Sequence, residues 1–154
     1  MLFELRKLNT DEETIVLQAP IWTALLIGFA DGELHQDELD RLKELIHTKT
    51  YSELNDVRKL YQELKKFEEG TQLLEQELAV LPTNPTARID YLTNNLGQLN
   101  DILPKLSVSY SRQYVRSLKQ IAAAIANADG GFLGFGSVSQ AESQYVHLPM
   151  INEI

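Results

Sequence analysis

Apolar residues along this chain recur three and four positions apart, and leucine, with 25 copies against 7 valines, supplies most of them. That period is helical, and alternating β-branched runs joined by hairpin dipeptides are missing. The pattern predicts an all-α protein. A first helix is expected to start after Thr10 or Asp11, with Glu12 and Glu13 at its positive end, and to run to about Ala30. Pro20 should kink or divide it. From Ile21 to Ala30 the chain is apolar nearly all round, as in a helix buried on most sides.

A second helix, about Gln36 to His47, places Leu39, Leu42, Leu45 and Ile46 on one stripe. Ser52 can cap a third, with Leu54, Val57, Leu60, Tyr61, Leu64 and Phe67 at helical spacing. The pattern Leu73, Leu74, Leu78, Leu81 continues to Pro82, and Asn84-Pro85 supplies a cap and a first-turn proline for a helix to about Leu103, faltering at Gly97. After Pro104 a long helix is expected from about Ser109 to Ala128, ending in an alanine-rich stretch that permits close helix contact. Trp22 reads as a core residue.

One internal repeat stands out. Ile27-Gly28-Phe29-Ala30-Asp31-Gly32-Glu33 resembles Ile125-Ala126-Asn127-Ala128-Asp129-Gly130-Gly131, and each copy ends an apolar helix with Ala-Asp-Gly. Downstream, Leu34-His35-Gln36-Asp37-Glu38 parallels Val138-Ser139-Gln140-Ala141-Glu142, once an insertion of six residues within Phe132 to Ser137 is allowed. The units span about residues 19–46 and 117–151. A glycine stop and a capping box, Ser139 to Glu142, account for part of this. They leave Asp31 and Asp129 at helix C-terminal ends, where the dipole disfavours an anion. If the units pack as a pseudo-symmetric pair, Asp31, Glu38, Asp129 and Glu142 converge, with Glu33 and Asp37 beside them. Such a group repels itself unless a hard cation or a basic side chain sits among it.

Length and charge narrow the choices. With 154 residues the chain suits one domain, residues 1–154. It has no cysteine, which removes disulfides, thiolate metal sites and cysteine nucleophiles. No run of about 18 apolar residues exists and Met1 to Lys7 has no signal-peptide core, so a soluble cytoplasmic protein without direct membrane insertion is expected. The net charge of -8 argues against nucleic acid. The acidity is confined to residues 1–77, with 17 acids and 9 bases, against 5 and 5 in residues 78–154. Solvated helix faces explain it most simply; cation binding or a basic partner is the other reading.

Neither Asp-Gly turn is an EF-hand, because glycine comes second and position twelve is Leu42 or Gln140. The glycines from Gly130 to Gly136 follow a helix and lack a Gly-Lys-Ser/Thr ending, so they make no phosphate cradle. No nucleophile elbow or zinc-protease signature is present. Tyr110, Arg112, Tyr114 and Arg116 interleave aromatic and basic groups, a combination that can stack bases. The acidic total favours packed tyrosines and arginines that neutralise nearby acids.

Two Ala-Asp-Gly turns, each followed by a loop and a helix-opening glutamate, in an all-α chain of this length resemble the TerB family of tellurite-resistance domains. The resemblance implies a multihelical fold with two central buried helices, an acidic cluster that binds metal, and a non-enzymatic role in tellurite and chemical stress, in some members alongside a membrane-associated protein partner. Carried onto this chain, the metal-binding residues are Asp31, Glu33, Glu38, Asp129 and Glu142, with Gly32 and Gly130 in the turns. Oxygen ligands imply calcium, magnesium or manganese before zinc. Gly131 replaces a counterpart of Glu33, and the glycine-rich insertion lengthens the second loop. The alternative is a metal-free acidic helical module that docks a basic or membrane-associated partner.

Overall fold

The computed structural model describes residues 4–30, 36, 40–45, 48, 58, 61–62, 72–128 and 144–154. Among them are five α-helices and no strand: α1 (Thr10–Phe29), α2 (Gln72–Val80), α3 (Pro85–Gly97), α4 (Leu99–Ile102) and α5 (Val108–Ala128), with 3-10 turns at Glu4–Lys7 and Leu103–Lys105. Residues 36, 40–45, 48, 58, 61 and 62 also have helical backbone. The all-α expectation holds.

α1 begins one residue earlier than expected because Asn9 caps it. Glu12 N–H donates to Asn9 Oδ1 at 2.8 Å and Asn9 N–H donates to Glu12 Oε1 at 3.1 Å, a complete capping box. Pro20 lies inside an undivided helix. A proline has no N–H to give the carbonyl four residues back, so Val16 loses its intrahelical donor. The hydroxyl of Tyr114 on α5 replaces it, donating to the Val16 oxygen at 2.7 Å in the buried interior. A neighbouring helix thus supplies what Pro20 removes.

Every residue from Ala19 to Gly28 is buried. Around that stretch a shared core collects Leu42, Tyr61, Leu74, Leu92, Leu96, Leu99, Leu118, Ile121 and Ile125. α1 packs against both α3 and α5. α3 opens as the sequence implies, with Ala87 N–H donating to Asn84 Oδ1 at 3.0 Å and Pro85 at the start. The expected continuation to Leu103 is broken at Gln98 and resumes as the short α4 and a 3-10 turn.

α5 buries Tyr114, Leu118, Ile121, Ala122, Ile125 and Ala126, and exposes Arg112, Arg116 and Lys119. α1 and α5 are therefore both in the core and in contact, and the Ala19–Gly28 stretch of α1 is enclosed on all sides. After residue 144 the chain turns through Leu148, a fully buried leucine with φ 51°. Its burial offsets a backbone conformation that favours glycine. Asn100 then clamps the last segment, donating from Nδ2 to the Met150 oxygen at 2.8 Å and accepting from the Asn152 N–H at 2.7 Å.

Candidate functional site

Asp31, Glu33, Glu38, Asp129 and Glu142 lie outside the described residues, as do Gly32, His35, Asp37 and the glycine-rich segment 130–136. The structure does describe the chain on either side of both turns. α1 reaches the first turn through Ala30, whose N–H donates to the Ile27 oxygen at 3.3 Å. α5 reaches the second through Asn127 and Ala128. In their N-terminal parts the two helices lie side by side, tied by Tyr114 to Val16, while Lys105 of the 3-10 turn before α5 pairs with Glu12.

Past each turn the chain comes back to the other helix. Arg41, three residues after Glu38, lines a hollow of about 520 Å³ together with Gln120, Ala123, Ala124 and Asn127 of α5. Tyr145, three residues after Glu142, lines another of about 430 Å³ with Phe29 and Ala30 at the end of α1 and with Pro85, Ile89 and Asp90 of α3. In the repeat alignment Glu38 matches Glu142 and Phe29 matches Asn127, so Arg41 and Tyr145 are equivalent positions. Arg41, after the first turn, thus shares a hollow with the end of α5, and Tyr145, after the second, shares one with the end of α1. Leu42, buried next to Arg41, joins the core from the same segment.

Among the described residues no group of three or more histidine, cysteine, aspartate or glutamate side chains gathers to hold a metal ion. Two acids do something the charge pattern hides. Reading the acidic half as solvated helix faces fails for Glu4 and Glu77, which are 7% and 6% exposed. Glu77 on α2 accepts from Gln18 Nε2 at 3.2 Å, from Trp22 Nε1 at 2.9 Å and from the Tyr91 hydroxyl at 3.3 Å. One carboxylate, satisfied by three neutral donors, thereby joins α1, α2 and α3, as buried polar groups must be. Tyr91's phenol is held above its usual range, first by desolvation and then by the nearby Glu77 charge. The sequence did carry a signal: Glu77 falls three after Leu74 and four before Leu81, on the apolar stripe. Trp22 is a core residue, as read, and its ring nitrogen is the donor that holds Glu77.

Glu4 accepts from the Ser107 N–H at 3.1 Å and from Lys7 Nζ at 3.2 Å. Ser107 Oγ in turn accepts the Tyr110 N–H at 3.2 Å, so residue 4 completes the cap of α5. Burial works to raise the Glu4 carboxyl, but the Ser107 and Lys7 hydrogen bonds together bring it below its ordinary value.

The interleaved tyrosines and arginines separate cleanly. Tyr110 and Tyr114 are buried, with ring centroids 6.3 Å apart and planes 8° from parallel. Tyr114's hydroxyl is pushed well above its ordinary value by burial and then by Tyr61 and Tyr110. Their faces are closed to bases. Arg112 and Arg116 are exposed, and among the described residues no ion pair joins either to an aspartate or glutamate side chain. No described helix is long and apolar enough to cross a membrane. Comparison with family models, curated proteins and solved structures finds no match.

Proposed function

We propose that this chain is a non-enzymatic, cytoplasmic, TerB-like protein of the tellurite and chemical-stress type that binds one divalent cation between its two Ala-Asp-Gly loops. Asp31, Glu33 and Glu38 would supply oxygens from the first unit and Asp129 and Glu142 from the second, a donor set suited to calcium, magnesium or manganese before zinc. One observation carries the reading: Arg41 stands beside Asn127 while its repeat equivalent, Tyr145, stands beside Phe29 and Ala30. That reciprocity is what a site shared by two loops requires. An aspartate that follows a helix C-terminus also needs a positive neighbour, and a cation meets the need of both turns at once.

The consequence is thermodynamic. A cation bound only by the folded chain stabilises it by about 2.7 kcal/mol at a hundredfold excess over Kd. Chelator is expected to lower the melting temperature of the wild type and to leave an Asp31→Asn/Asp129→Asn variant unmoved. Without metal the variant should match or exceed the wild type, because like-charge repulsion has been removed. If calcium, magnesium, manganese, zinc and chelator all leave wild-type melting unchanged, the metal-free module docking a basic or membrane-associated partner takes first place.

A further inference from the structure

The outer face of α5 is an unclaimed basic surface on an acidic chain. Three of the five bases in residues 78–154, Arg112, Arg116 and Lys119, project from this one helix and are exposed. They line an open groove of about 600 Å³, floored in part by Val115 and Ala123 and walled opposite by Asn152 to Ile154. We infer that this groove docks an extended acidic segment of a partner protein.

Charge complementarity supports that occupant. Among the described residues Glu153 is the one acidic side chain lining the groove, and Arg116 and Lys119 have no acidic partner. On a chain of net charge -8, such a patch is where an incoming acidic segment meets attraction instead of repulsion. Spacing supports it too. With a rise of 1.5 Å per residue, Arg116 and Lys119 are about 4.5 Å apart along the helix. Side chains on one side of an extended peptide recur about every 6.6 Å, within the reach of flexible arginine and lysine heads.

The far wall is built to stay put. Asn100 holds the backbone at Met150 and Asn152, and Arg112 Nε donates to the Ile154 backbone oxygen at 3.2 Å. Arg112 therefore positions the wall, leaving Arg116 and Lys119 to meet the carboxylates. Val115 and Ala123 add an apolar floor for the peptide stem between them.

The test is fluorescence anisotropy with a labelled peptide of alternating glutamate and serine, at low ionic strength. Saturable binding is expected, weakening as salt is raised. Arg116→Glu/Lys119→Glu should weaken it by about tenfold or more, and Arg116→Gln/Lys119→Gln by less. Both variants should melt as the wild type does, since the positions are exposed; if the charge-reversed pair does not fold, the glutamine pair gives the result. No binding, equal binding by the variants, equal binding of a glutamine-serine peptide, or tighter binding of a single-stranded oligonucleotide or an anionic vesicle would each overturn the proposal. So would self-association of the chain that the variants abolish, which would make a second copy the occupant.

Discussion

The sequence Ala-Asp-Gly stands at the C-terminal end of both α1 and α5, and the two helices are built on opposite plans. From Ala19 to Gly28 every α1 residue is buried. α5 over the same length has a sharp division between a core face and an outer face that carries Arg112, Arg116 and Lys119. The likeness of the two segments is therefore in the sequence around Ala-Asp-Gly, while the helix surfaces differ, one enclosed over ten residues and one with an exposed basic face. An enclosed helix must satisfy every backbone group from protein atoms, and this explains why Val16, deprived of a donor by Pro20, is met by Tyr114.

The largest expected effect separates the two helices directly. Leu25→Ala, in the fully buried part of α1, should cost about 2–5 kcal/mol in denaturant unfolding. Lys119→Ala on the outer face of α5 should change stability by no more than about 0.5 kcal/mol. Equal costs would erase the distinction.

The link between them is the next test. Tyr114→Phe leaves the buried Val16 carbonyl without a donor and should cost about 1–3 kcal/mol. In a Pro20→Ala background the restored backbone N–H can serve that carbonyl, so the same substitution should cost on the order of 1 kcal/mol less. An unchanged cost would show that Tyr114 acts by packing alone.

The smallest effect concerns the helix starts. α1 is capped locally by Asn9 and Glu12, whereas the cap of α5 takes its carboxylate from Glu4. Because Glu4 is held below its ordinary value in the folded chain, the unfolded chain takes up that proton first as pH falls. Its contribution is present above the ordinary carboxylate range, near pH 4.3, and is lost as pH falls through the lower folded value. Glu4→Gln should therefore be less stable than wild type at neutral pH, with the two converging in acid. A constant gap across pH would remove the charged cap from the account.

Most of the helices were legible because their signals are local. Asn84-Pro85 marks the start of α3, and Leu118 to Ala126 keep a strict apolar stripe. Features made by distant residues were not. Nothing near Ser107 announces that residue 4 will cap it, and nothing near Pro20 announces Tyr114. Glu77 was hidden by composition, since a half-chain with 17 acids makes any one of them read as a solvated charge. Of the candidate site, the repeat is legible in the sequence, but its acidic residues lie outside the described residues.

The central claim is that the two Ala-Asp-Gly loops form one site. Calorimetric titration with calcium, magnesium and manganese tests it most directly, on the wild type and on Asp31→Asn and Asp129→Asn separately. One shared site predicts a single cation per chain, with affinity lost in either single variant. Two cations per chain, loss of one site at a time, or no binding by the wild type would contradict it.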